Sequence, residues 1–207
     1  FRGVVTYLRM VDGSLKADGK TLLEKCPVAM KTGMGELGKD CAAVSHAYSR
    51  NDARIQTVFG IRKYVDDTYN ALTLNFKNFS LDVRVYDEAA AYRFSTNFGG
   101  EIVVENEILQ LPSLKDGDRL IAHMVNGIQT SFEETWARTT VADMKLPPKN
   151  TREKSNRIGN ASLPLIFEKE GLKVAIVESS RFDYPGLRIS YTDADACPHA
   201  IFAPAPR

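Results

Sequence analysis

Histidine, cysteine and tryptophan are scarce in this chain: three, three and one among 207 residues. His46, His123 and His199 lie far apart and fall in no ligand pattern. Cys26, Cys41 and Cys197 include no C-x-x-C pair and have no nearby pair of histidines, which excludes the common zinc arrangements. Their odd number also excludes a fully paired intrachain disulfide framework. Buried or semi-buried thiols are expected, although an oxidising compartment would allow one bridge, such as Cys26 to Cys41. No apolar run approaches the ~20 residues of a membrane helix, so no membrane span is expected. Neither sign of charge dominates: 27 Lys and Arg stand against 26 Asp and Glu, leaving +1. The basic residues are scattered, so nucleic acid is not an expected partner. No secretory signal is visible. The chain opens at Phe1 rather than Met, and its last residues, Phe202 to Arg207, read as a cut within a longer polypeptide.

No segment carries a long, well-capped helical period; the dominant pattern is alternation at period two, the strand signal. Leu72, Leu74 and Phe76 share one face of a strand, and Leu81, Val83 and Val85 repeat the pattern after a short turn at Lys77 to Ser80. Ala91 to Ser95 and Glu101 to Leu111 read as further strands. Near the C-terminus Leu163, Leu165 and Phe167 alternate, Glu170-Gly171 makes a tight turn, and Leu172, Val174 and Ile176 return. Leu187 to Tyr191 follows. Val4 to Met10, Thr21 to Leu23 and Ile61 to Val65 complete the expected strands, with a turn at Asp18-Gly19-Lys20. A short helix is expected within Ser131 to Asp143, and an exposed loop from Met144 to Ser155. Short strands divided by turn signals predict a sandwich or barrel rather than βαβ units.

The residue patterns that carry chemistry elsewhere have plain readings here. Gly33-Met34-Gly35-Glu36-Leu37-Gly38 matches G-x-G-x-x-G, but neither a buried strand before it nor a helix after it is evident, so a loop is expected instead of a dinucleotide site. No G-x-S-x-G motif supports a nucleophilic serine. The acids Asp66-Asp67, Glu105, Glu107, Glu133-Glu134, Asp193 and Asp195 read as solvated faces or turns; Asp193-Ala194-Asp195 lacks the rest of a calcium loop. Asn78-Phe79-Ser80 and Asn160-Ala161-Ser162 match the glycosylation sequon, a short pattern that often arises by chance. With Trp136 alone and most Phe and Tyr on strand patterns, an exposed aromatic platform for sugars is not signalled.

Four ordered stretches nevertheless resemble one family. They are Asp18 to Glu24 with Pro27 and the Gly-rich segment through Gly38; Gly60 to Lys63 running into Tyr69 to Leu74; Leu81 to Phe94; and Val177 to Leu187, followed by Ile201 to Pro204. In this order they resemble the N-terminal domain of glycoside hydrolase family 97. Asp87-Glu88-Ala89 departs from the family, which usually has Gly after an acidic pair, so this turn is expected to differ.

The resemblance implies an all-β fold: a large antiparallel β-sandwich of the galactose-mutarotase type, one domain over residues 1–207, incomplete at its C-terminus. It implies a parent polypeptide in which the sandwich packs on a (β/α)8 barrel that is absent from this chain and carries the catalytic carboxylates. Members hydrolyse α-glucosides or α-galactosides, often in the bacterial periplasm, so the expected partners are that barrel and, through it, an oligosaccharide. They hold calcium beside the substrate, and one ligand comes from the sandwich segment E-x-x-x-x-D-Y-P-G. That segment maps onto Glu178 and Asp183-Tyr184-Pro185-Gly186, so Glu178 is the expected calcium ligand. No residue of this chain is expected to be catalytic, and a single glutamate is expected to bind calcium weakly. Two rival readings stay open: a stand-alone carbohydrate-binding module, and a mutarotase-type enzyme that would need one of the three histidines acting with a glutamate.

Overall fold

A computed structural model describes residues 8–11, 14–126, 135–145, 159–179 and 184–202. It is an all-β sandwich of antiparallel sheets, as the alternation predicts. The strands are β1 Leu8–Val11, β2 Ser14–Ala17, β3 Lys20–Leu23, β4 Val28–Thr32, β5 Gly35–Leu37, β6 Ser45–Gln56, β7 Tyr64–Asn75, β8 Phe79–Val85, β9 Ala90–Thr96, β10 Val104–Leu109, β11 Arg119–Asn126, β12 Ala137–Thr140, β13 Gly159–Lys169, β14 Leu172–Ile176, β15 Leu187–Ser190 and β16 His199–Phe202.

The largest sheet runs β12-β11-β13-β15-β16, with β14 also on β13. A bridge between Gln110 and His199 joins its β16 edge to the sheet β10-β4-β5, and the Leu111 amide donates to the Pro198 carbonyl at 2.9 Å. The other sheets are β6-β7-β8-β9 and β1-β2-β3.

Strand β13 organises the site. One side pairs with β11 along most of its length; the other side is shared, with β14 beside Leu165–Lys169 and β15 beside Asn160–Ser162. Leu163 and Pro164 fall in the gap, opposite a shift in the β11 register. Proline has no N–H to donate to a ladder, so a break in pairing is where a strand tolerates it.

The buried core lies against this sheet. Leu120 and Ala122 of β11, Ala161, Leu165 and Phe167 of β13, Leu187 and Ile189 of β15 and Ala200 of β16 pack with Leu111, Leu114, Val141 and Met144. Residues 131–134 of the helix predicted within Ser131 to Asp143 lie outside the described residues; among the described ones the prediction is corrected, since residues 137–140 are β12 and only a 3-10 turn, Ala142–Met144, is helical. Thr139 and Thr140 are β-branched and suit a strand. The Asp143 carboxylate fixes the turn by accepting from the Thr140 amide at 2.8 Å and the Thr139 hydroxyl at 2.6 Å. Met144, expected at the start of an exposed loop, is fully buried, while residues 146–155 of that loop lie outside the described residues.

Strands β6 and β7 pair along all twelve residues, a hairpin about 40 Å long at ~3.3 Å per residue. Only Asn70–Asn75 of β7 also pair with β8, so the outer half is a two-stranded ribbon. Its tip leaves Val58, Phe59 and Ile61 at least 90% exposed.

The Gly-rich motif is the β4–β5 hairpin. The Thr32 hydroxyl donates to the Gly35 carbonyl at 2.7 Å and accepts from the Met34 amide at 3.1 Å. Gly38 is required: its φ is +93°, and a Cβ there would meet the Val28 carbonyl at 3.0 Å. With no helix following, the dinucleotide reading has no support. The Asp87-Glu88 turn closes with the Tyr86 amide donating to the Ala89 carbonyl at 2.7 Å, and none of Asp87, Glu88 and Ala89 needs a positive φ.

Candidate functional site

Glu178 follows β14 by two residues and stands half-buried on the segment that crosses from β14 to β15. Its Oε1 accepts a hydrogen bond from the Leu187 amide, the first residue of β15, at 3.0 Å. The carboxylate therefore closes the loop that begins with it. Residues 180–183, which include Arg181 and Asp183, lie outside the described residues.

Tyr184 fastens the same loop from the other side. Its hydroxyl donates to Glu107 Oε2 at 2.8 Å, and its ring meets Phe202 of β16 edge-on, with centroids 5.3 Å apart. The Phe202 amide in turn donates to Asn106 Oδ1 at 3.2 Å. Glu107 Oε1 accepts a second phenol, that of Tyr92 on β9. Glu107 thus joins the β10 sheet, the β6–β9 sheet and the Glu178 loop at one carboxylate.

Glu107 is 8% exposed, which corrects its expected place on a solvated face. The reason lies in the strand period: Glu107 shares a side of β10 with buried Leu109, two residues on. A buried carboxylate is costly unless hydrogen-bonded, and the two phenols supply the donors. Burial holds both phenols well above the usual tyrosine range. The Glu107 charge and its hydrogen bond push both further, and the Glu178 charge adds to the effect at Tyr184. Both therefore remain hydrogen-bond donors at neutral pH.

The other acids do ordinary work. Glu105 pairs with Lys31 at 2.8 Å and Asp66 with Arg54 at 3.7 Å, all four exposed. Asp67 accepts from Asn51 at 2.8 Å. Asp195 closes a turn by accepting the Thr192 amide at 2.8 Å and its hydroxyl at 2.6 Å. Burial raises the Asp195 pKa, but these bonds and the His199 charge outweigh it and leave the group below its ordinary value. Glu133 and Glu134 lie outside the described residues. Among the described residues, no three His, Cys, Asp or Glu side chains gather as a metal site.

The histidines occupy separate places. His46 is exposed on β6, edge-on to Tyr48. His123 is buried on β11 with Nδ1 3.1 Å from Ser162 Oγ. His199 on β16 stands 3.8 Å from an aspartate, Asp195, not a glutamate. The three cysteines are free. Cys26 has Cys197 rather than Cys41 as its cysteine neighbour, and burial first, then Cys197, pushes its thiol up to about 11. Asn160, in the second sequon, is 1% exposed and inaccessible to glycosylation in the fold.

Comparison with known proteins agrees with this architecture. The family described as Glycosyl-hydrolase 97 N-terminal matches residues 9–202. A retaining alpha-galactosidase from Bacteroides thetaiotaomicron is 26% identical over 200 residues, covering 93% of this chain and 29% of that protein. A glycoside hydrolase family 97 enzyme from Pseudoalteromonas sp. strain K8, solved in complex with acarbose, superposes with a TM-score of 0.68 at 12% identity, over 96% of this chain and 30% of its own. A beta-arabinopyranosidase gives a TM-score of 0.68 at 20% identity, over 97% of this chain and 34% of its own. The chain spans about a third of the length of these relatives. With the profile covering nearly the whole chain and the sandwich shared with those enzymes, this chain belongs to the N-terminal domain family of glycoside hydrolase family 97.

Proposed function

We propose that this chain is the non-catalytic sandwich of a calcium-dependent α-glycoside hydrolase, and that Glu178 is its contribution to the metal. The fastening of the Glu178 carboxylate to the Leu187 amide carries this reading. A ligand that is already ordered loses less entropy on binding metal. The donor chemistry fits: calcium takes carboxylate oxygens, roughly six to eight oxygen ligands in all. Among the described residues no acidic cluster completes such a set; on this reading the remaining ligands belong to the (β/α)8 barrel that the family resemblance implies for the parent polypeptide. When bound, calcium would supply a fixed positive charge beside the sugar. The chain's own task is to hold one oxygen donor at the domain boundary and to brace the barrel. The apolar tip of the β6–β7 ribbon supports the bracing role, since exposed apolar surface commonly marks an interface. The relative named as a retaining alpha-galactosidase favours α-galactosides as the parent's substrates over α-glucosides.

Turnover of aryl α-galactosides and α-glucosides tests the reading. The chain alone is expected to show none. The parent polypeptide is expected to show calcium-dependent turnover, with Glu178→Gln raising the calcium concentration needed for half-activity. Metal-dependent hydrolysis by the chain alone, or an unchanged calcium requirement in Glu178→Gln, overturns it.

A further inference from the structure

We propose that Glu107 is a positioning residue for Glu178, acting through Tyr184. This rests on the reading of Glu178 as a metal ligand and goes beyond it, because both Glu107 oxygens are taken by phenols and its effect is exerted through the loop. Four observations carry it. Glu107 is buried, yet both carboxylate oxygens are engaged by phenols. One of those phenols belongs to the loop that starts at Glu178 and is closed by the bond from the Leu187 amide. That phenol also rests on Phe202, whose amide is held by Asn106, the neighbour of Glu107 on β10. The other phenol, from Tyr92, ties Glu107 to a different sheet, so the anchor does not move with the loop.

The physical argument concerns what a buried carboxylate is for. A connection between β14 and β15 needs no charged anchor, and an apolar contact such as Tyr184 on Phe202 would hold it without desolvating an acid. Two charge-assisted bonds instead impose direction: the phenol must reach one oxygen along one line. Fixing Tyr184 fixes the backbone three residues before Leu187, and the Leu187 amide fixes the Glu178 carboxylate. The chain of contacts runs Tyr92, Glu107, Tyr184, Leu187, Glu178. Outer partners that orient a ligand commonly change metal affinity by roughly 10–100-fold when removed.

The test uses the parent polypeptide, barrel included, titrated with calcium and followed by the backbone amide signal of Leu187 in nitrogen-15 NMR. That amide donates to the Glu178 carboxylate and reports directly on what the carboxylate does. In the wild type, calcium is expected to shift the signal with a saturable midpoint, and Glu178→Gln is expected to abolish the shift. Tyr184→Phe removes one hydroxyl and keeps the ring against Phe202; it is expected to raise the midpoint roughly 10-fold. Glu107→Gln is expected to do the same. Tyr92→Phe unties Glu107 from the second sheet and is expected to raise the midpoint too. Lys169→Met, at a contact that touches none of these residues, separates positioning from general stability: it should lower the melting temperature while moving the midpoint less than twofold. A wild-type Leu187 signal that ignores calcium, or responds equally in Glu178→Gln, sinks both the ligand reading and this inference. A response that needs Glu178 but has the same midpoint in Tyr184→Phe and Glu107→Gln sinks the inference alone.

Discussion

Lys169 Nζ lies 2.9 Å from Asp118 Oδ2 and 3.0 Å from the Ser113 carbonyl, tying the end of β13 to the loop that precedes β11. Both side chains are about four-fifths covered, at 21% and 20% exposure. Asp118 also accepts the Lys115 amide at 2.9 Å, so it serves the loop from two sides. Lys169→Met keeps the aliphatic stem and removes the charge. It is expected to cost about 1–2 kcal/mol in urea unfolding, because charge-assisted bonds are lost at a partly covered site. A double-mutant cycle with Asp118→Asn should give a coupling of about 1 kcal/mol. Coupling near zero would show that the pair is only adjacent.

The buried phenols predict an alkaline limit to stability. Burial, with Glu107 beside it, raises the folded-state pKa of Tyr92 above its ordinary value. Below about pH 10, the ordinary tyrosine value, the phenol is protonated in both folded and unfolded chains and its full contribution is present. Above it the unfolded chain releases a proton that the folded chain keeps, so stability falls as pH rises, by up to about 1.4 kcal/mol per pH unit for a single group. Urea midpoints measured between about pH 9 and 11 should fall for the wild type and fall less steeply for Tyr92→Phe. Parallel curves would contradict this account of the Tyr92 site.

Thiol chemistry should distinguish the cysteines. The Cys26 thiol is pushed up to about 11, first by burial and then by Cys197. At pH 8 about one molecule in a thousand carries its thiolate. Cys41 is exposed. A disulfide reagent at pH 8 is expected to label Cys41 first and Cys26 at least roughly 100-fold more slowly, followed by peptide mass spectrometry. Equal rates would mean that the Cys26 site opens readily.

The ribbon tip predicts association without instability. Val58, Phe59 and Ile61 are 97%, 90% and 106% exposed. Replacing Phe59 and Ile61 with Ser removes little native packing, so unfolding should change by less than about 0.5 kcal/mol. Sedimentation velocity at high concentration should show less self-association than the wild type. A large loss of stability would instead mean that the tip packs in solution.

The sequence shows the strand class clearly where one face is buried and the other wet. Leu165 and Phe167 alternate as expected and form part of the core. The Glu170-Gly171 turn reads equally well, with both residues at positive φ. Strand β6 escapes notice because Ser45 to Gln56 is almost wholly exposed and carries no apolar period to detect. Strand β12 is missed for a similar reason: its four residues are too few to show a repeat. At the site, Glu178 is found through its flanking motif. Glu107 is not, because an acidic residue ending the polar run Glu105-Asn106-Glu107 reads as surface. Only its two-residue offset from Leu109 hints at burial, and its phenol partners lie 15 and 77 positions away.

The divided side of β13 has a further consequence. Because β14 and β15 each clip independently onto the same strand, the ladder does not depend on the span that joins them. Residues can be gained or lost between Ile176 and Leu187 without sliding either neighbour along β13. Evolution could therefore remodel what the domain offers at this boundary while its framework stays unaltered. An engineer could graft other loops there on the same terms.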